Sequence, residues 1–299
     1  IWPMENAHTQ NSLKASAQVG LLEMLKGGTT SILDMGTVRH THALLETAKE
    51  SGMRYWGGKC LMDLKGSAGP LYESTRDALT ETQELMSYWN NQDQNSLITY
   101  VLCPRFAVSC TEQILRDCVS LQQQYGLIIH THASENRDEI AMIVERTGHN
   151  NVDYFDKIKM LNPKTVVVHG VHLTDNEVKL MADAGSPLVH CPSSNLKLGS
   201  GVAPIEKYLR NGLTVSLGAD GAPCNNSMDA FIEMRLAALI QKPIFGPEAL
   251  SAEKAFEMAT LMGARTLGAE HMLGSLEHGK QADIAVVRRD HPSVATVHN

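Results

Sequence analysis

The chain has 299 residues, 43% hydrophobic and 20% charged, with a formal net charge of −7. That length can bury the core of one large domain or two modest ones, and the acidic balance, with no Lys/Arg run, excludes a charge-driven nucleic-acid surface. No apolar stretch approaches the ~18 residues of a membrane helix, and six scattered cysteines without a C-x-x-C pair point to reduced thiols in a cytoplasmic protein.

The chain opens on Ile1-Trp2-Pro3 rather than Met, within a helix. Residues 11–28 read as an amphipathic helix closed by Gly27 and Gly28. From there the pattern alternates. Apolar strands are expected at 29–36, 53–62, 97–104, 127–132, 165–170, 187–191 and 214–220. Helical periodicity fills 41–52, 71–91, 111–126, 138–148 with 152–161, 175–185, 205–212, and finally 228–242 and 252–268. This is the βαβα pattern of a parallel sheet with helices outside. No dinucleotide fingerprint or phosphate loop follows any strand, which weakens a Rossmann-type reading. The expectation is an α/β fold, a (β/α)8 TIM-type barrel whose first strand would precede residue 1. The tail 274–290, with a Gly-rich turn and one apolar strand, departs from the pattern. The expected division is therefore a barrel over 1–272 and the start of a small β unit over 273–299.

In such barrels chemistry sits at the C-terminal strand ends. Those ends carry Arg105, His132, His169, His190 and Asp220. A lone histidine there is usually structural. Three histidines and an aspartate on consecutive ends form an N/O donor set suited to Zn²⁺ or Fe²⁺. Glu135 lies just beyond His132 and could move a proton beside a metal. It could equally be a carboxylate favoured by a helix N-terminus, since "SENRDE" reads as a helix start. His130 shares its face with His132 but lies deeper in the strand, and is read as an inner barrel residue.

The motifs "HTHASENRDE", "VVVHGVHL", "VHCPSSNLKLGSG", "SLGADGAPCNN" and "GSLEHGKQADIAVV" together resemble the amidohydrolase superfamily. The resemblance runs from Ile1 to about Val287 and is nearest to the metal-dependent aminohydrolases of purines and related rings. It implies one divalent metal, Zn or Fe, held by His132 and Asp220 with two further histidines from a His-x-His upstream of residue 1. It implies catalytic roles for Glu135, His169 and Asp220, with Glu135 and His169 also touching substrate. The pair His40 and His42 has the His-x-His spacing but follows the second strand, so it is not that motif; His40 could line the pocket. His172 receives no role. "IWPMENAHT" resembles a segment that offers a glutamate, here Glu5, to ribose hydroxyls, and "CPRFAVSC" offers Arg105 to base or sugar. Plain alternatives are a helix cap for Glu5 and an ion-pair partner for Arg105. The implied activity is hydrolytic deamination of an adenine nucleoside of the 5'-deoxyadenosine, methylthioadenosine or S-adenosylhomocysteine type, with release of ammonia. Guanine or pterin deamination and triazine hydrolysis are the alternatives, and a truncated barrel without turnover is the competing class. The implied partner is a small purine or nucleoside, with no nucleic acid or membrane, and a homo-oligomer is compatible with it.

Overall fold

In a computed structural model of the chain, residues 1–90, 96–288 and 290 are described. Among them are nine short strands: β1 (Ser31–Asp34), β2 (Arg54–Gly57), β3 (Cys60–Leu61), β4 (Ile98–Tyr100), β5 (Cys103–Pro104), β6 (Ile129–Ala133), β7 (Thr165–His169), β8 (Leu188–His190) and β9 (Val215–Leu217). Every pairing is parallel. β1 pairs with β2 and β2 with β4; β3 pairs with β5; β6 to β9 follow in sequence order. Isolated bridges, Leu102 to Ile129 and Phe106 to His132, join the β5 region to β6. The order around the sheet is thus the order in the chain, the succession of a (β/α) barrel. Among the described residues no ladder joins β9 to β1.

The two expected strands at 53–62 and 97–104 each appear as two pieces. The cause lies at Gly58, where a Cβ would stand 2.0 Å from the Val101 carbonyl oxygen. The two backbones approach so closely that the chain leaves the regular ladder. Each pair of pieces still occupies one position around the sheet. β7 is wholly buried, as its run of three valines demands, and the core joins strand residues of the helix-facing side, such as Ile129, Val167 and Val215, to the covering helices.

Two expectations change. The helix expected over 252–268 is two helices, Ala252–Ala259 and Leu261–Thr266, broken at Thr260, whose φ of −120° and ψ of −90° are not helical. The apolar strand expected within 274–290 is not formed among the described residues, and the rest of 273–299 lies outside them. Val286 is 90% exposed; a strand needs a neighbour for its backbone groups, and none is placed beside it. The tail is instead fastened by Asp283, which accepts from Arg54 Nε at 2.9 Å. No described helix is long and apolar enough to cross a membrane.

Candidate active site

Three turns at the C-terminal end of the sheet share a backbone feature. Ser134, His169 and Asp220 all have positive φ, at 53°, 74° and 61°. Non-glycine residues held there cost ~1–3 kcal/mol each and gather at functional sites. Each turn swings the chain out of its strand and aims a side chain across the mouth.

His132 ends β6 against the Arg105 loop. Its Nδ1 lies 2.7 Å from the Arg105 carbonyl oxygen, so Nδ1–H donates and the Nε2 lone pair is left free. Burial, reinforced by the neighbouring His169, lowers its pKa to about 3 and keeps the ring neutral. The His132 and His169 rings stack with centroids 5.2 Å apart. His169 Nδ1 lies 2.9 Å from Asn195 Oδ1, while its Nε2 faces Glu135 Oε2 at 3.8 Å and Asp220 Oδ2 at 4.0 Å. Asp220 Oδ2 accepts from Ser194 Oγ at 2.5 Å. Burial alone would raise the Asp220 carboxyl; His169 beside it and the bonds from Ser194 and Gly221 outweigh burial and hold it below the ordinary carboxylate range.

Glu135 is held from two sides. Its backbone N–H donates to Glu139 Oε2 at 2.8 Å, and its Oε1 accepts from Ser200 Oγ at 3.1 Å. Glu139 lies in the first turn of the helix Arg137–Thr147, whose cap is Asn136, so the reading of "SENRDE" as a helix start holds and Glu135 sits just outside that start.

The structure thus brings His132, His169, Asp220 and Glu135 together. Among the described residues, however, no three His, Cys, Asp or Glu side chains are placed to hold one ion. His130 is 6% exposed; burial lowers its pKa to about 4, opposed by a hydrogen bond with the Asp34 backbone. His190 is fully buried with both ring nitrogens unpartnered, and burial lowers its pKa to about 3. His40 is exposed at a helix start. His42, on the helix Thr41–Ser51, faces Glu46 at 3.3 Å.

Glu5 and Arg105 meet each other. Arg105 Nη1 donates to Glu5 Oε2 at 2.8 Å, with side chains only 15% and 12% exposed. Glu5 Oε1 accepts from the Val38 N–H at 3.0 Å, and the guanidinium lies over Trp2, 5.7 Å from the ring centroid. Arg105 is therefore an ion-pair partner, though a buried one.

Sequence reasoning missed Ser194, Asn195 and Ser200, which touch Asp220, His169 and Glu135 respectively. All three belong to the stretch after β8 that includes the helix Pro192–Lys197. The only available signal was their place within the motif "VHCPSSNLKLGSG" at a strand end. Glu233 was also missed. It is 2% exposed and binds the Ser193 N–H at 3.2 Å and Asn225 Nδ2 at 2.8 Å, tying the turns after β8 and β9 together.

Comparison with known proteins gives the family of the chain. The model of the amidohydrolase family matches residues 4–297, and the chain belongs to that family. It is 34% identical over 288 residues to a 5-methylthioadenosine/S-adenosylhomocysteine deaminase of Pyrococcus abyssi, covering 96% of this chain and 65% of that protein. It is 34% identical over 303 residues to a 5'-deoxyadenosine deaminase of Methanosphaera stadtmanae, covering 100% of this chain and 68% of that one. The crystal structure of an adenosine deaminase from Xanthomonas campestris with bound zinc matches with a TM-score of 0.92 at 29% identity, covering 100% of this chain and 66% of that one. The chain thus spans 65% of the length of the Pyrococcus relative.

Proposed function

We propose that the protein is a hydrolytic deaminase of an adenine nucleoside of the 5'-deoxyadenosine, methylthioadenosine or S-adenosylhomocysteine type. The observation that carries the reading is the approach of Glu135 and Asp220 to His169 Nε2, at 3.8 and 4.0 Å, with the His132 ring stacked on His169. The names of the relatives support the substrate class. A cleft of about 540 Å³ is lined by Glu135, His172 and Ser200 and opens beside the cluster; His132, His169 and Asp220 are not among its lining residues.

The donor chemistry fits a divalent cation, Zn²⁺ or Fe²⁺. A metal-binding imidazole is neutral and donates its other nitrogen's proton to an oxygen, as His132 does to the Arg105 carbonyl. His132 and Asp220 would hold the ion as part of its ligand shell, and when bound it supplies Lewis-acid activation of water at neutral pH. The chain's own residues do the rest. Asp220 and His169 orient the attacking water. Glu135 takes a proton from that water and passes it to the ring nitrogen as oxygen adds to the amino-bearing carbon. The added hydroxyl then gives up its proton, which Glu135 or Asp220 passes to the amino group; the C–N bond breaks, the oxygen becomes a carbonyl, and ammonia leaves. Glu5 already accepts from Val38 N–H and Arg105, but a carboxylate has about four lone-pair sites. The remaining two are offered to the ribose hydroxyls, with Arg105 fixing the carboxylate's direction.

All six cysteines are buried free thiols, which suits a cytoplasmic setting. The test is ammonia release by the metal-loaded full-length protein across adenine nucleosides, guanine, pterins and triazines. Release from nucleosides is expected. Release from guanine alone would shift the assignment to a free base, and release from none would leave the non-catalytic barrel.

A further inference from the structure

We propose that Ser200 is a positioning residue for Glu135: it pins one carboxylate oxygen so that the other is the one that carries the proton. This rests on the deaminase reading above. A glutamate's terminal torsion is broad and roughly two-fold, so an unrestrained carboxylate exchanges its oxygens between positions. Here the two are made different. Oε1 accepts from Ser200 Oγ at 3.1 Å, and Oε2 points toward His169 Nε2 at 3.8 Å. Oε2 is therefore the oxygen left free on the side of Asp220 and the stacked histidines.

Ser200 is itself anchored. It is 8% exposed, and its N–H donates to the Asn195 carbonyl at 2.8 Å. Its own carbonyl oxygen lies 2.8 Å from His172 Nε2, which donates to it. The His172 backbone N–H in turn donates to the Ser134 carbonyl at 3.0 Å. His172 thereby ties the loop that carries Ser200 to the turn that carries Glu135. The geometry is built into the chain: Gly201 has a φ of +128°, and a Cβ there would stand 3.1 Å from Val171 Cγ1 and 3.5 Å from His172 Cε1. A side chain there would be strained by the positive φ and would crowd Val171, so glycine suits this turn. His172, without a role in the strand-end pattern, gains one here.

The experiment measures kcat and KM for 5'-deoxyadenosine with metal-loaded full-length protein. The variants are Ser200→Ala and Ser200→Thr, alone and combined with Glu135→Gln, and Tm is recorded for each. Ser200→Ala is expected to lower kcat about 10- to 100-fold with KM and Tm nearly unchanged, the loss of one hydrogen bond to a charged group. Ser200→Thr keeps the hydroxyl and should recover most of kcat. In the Glu135→Gln background Ser200→Ala should cause no further loss, because the two act through one group. Equal losses in Ser200→Ala and Ser200→Thr, or additive losses in the double variant, would overturn the proposal. Full kcat in Ser200→Ala beside an inactive Glu135→Gln would overturn it and leave the deaminase reading standing. A wild type that releases no ammonia from any nucleoside would overturn both.

Discussion

At the ends of β1 to β5 the buried charged groups are matched to partners. Arg105 is paired with Glu5, the Asp34 carboxylate accepts from the Tyr55 hydroxyl, and Lys59, fully buried, bonds Glu73 and Glu81 at 2.8 Å each and also the Val38 carbonyl. At the ends of β6 to β9 the groups stand close without closing. His169 Nε2 lies just outside hydrogen-bond reach of two carboxylates, and His130, Ser134, His190 and Asn195 each keep a buried polar atom without a partner. An unmatched buried group costs ~1–3 kcal/mol, and left-handed backbone at His169 and Asp220 adds to that. Such cost is kept where chemistry uses it. On the proposed reading, one side of the mouth is a matched frame that would shape recognition, and the other is the set that would react.

The sharpest break of that contrast is Glu135→Gln. Glutamine keeps the shape and the bond from Ser200 but cannot move a proton, a step worth ~10²–10⁴-fold in rate. The expected result is a kcat lower by that factor with metal content and Tm retained, measured by ammonia release and elemental analysis. Near-normal turnover would remove the reactive side from the mechanism.

Next in size is Glu5→Ala on the matched side. It strands the buried Arg105 guanidinium, and breaking a buried pair from one end costs about 3 kcal/mol or more. Stability should therefore fall, and kcat/KM for 5'-deoxyadenosine should fall much further than kcat/KM for guanine, which has no ribose. Were both substrates to lose equally, Glu5 would be only Arg105's partner, and the frame would carry no recognition.

How far the sequence told this story differs between the two sides. The strand ends His132, His169 and Asp220 were legible because βα alternation places every strand end at one mouth, so position along the chain converts into position in space. Glu5 and Arg105 were named, but not as partners: they lie 100 residues apart, and no local pattern encodes a pair across that distance. Ser194, Asn195 and Ser200 were illegible for another reason. Serine and asparagine serve turns and caps everywhere, and only the folded loop decides which carboxylate or ring they reach. The tail strand failed because an apolar run specifies a strand only when a neighbour is present to pair with it.

A smaller effect separates the sides by pH. His190 folds neutral, its pKa lowered to about 3 by burial, whereas the unfolded chain titrates near ~6.5. The lowered pKa means the unfolded state takes up the proton first as pH falls, so this stability is present above ~6.5 and lost on acidification. At pH 5 the folded ring is still unprotonated, and the loss is about 2 kcal/mol. Urea unfolding at pH 7 and pH 5 should show the difference between the two pH values shrink by about that amount in His190→Leu. An unchanged difference would mean that His190 finds a proton partner in the folded state.

The smallest expected effect is the most selective. Thr9 and Asn136 cap helices on opposite sides of the comparison. The Thr9 side chain accepts from the Ser12 N–H at 3.2 Å on the helix Gln10–Lys26, and the Asn136 side chain accepts from the Glu139 N–H at 2.9 Å. Replacing either by alanine should cost about 1 kcal/mol of stability, the usual worth of a cap. Their effects on rate should part. The Thr9 helix precedes the frame and touches no reacting group, so Thr9→Ala should leave kcat as it was. The Asn136 helix holds Glu139, whose carboxylate accepts the Ser134 and Glu135 N–H groups at 3.2 and 2.8 Å. Fraying its first turn loosens the backbone that presents Glu135, so Asn136→Ala should lower kcat several-fold for the same loss of Tm. Two variants with matched Tm and matched kcat would show that the reactive side does not depend on that first turn for its geometry.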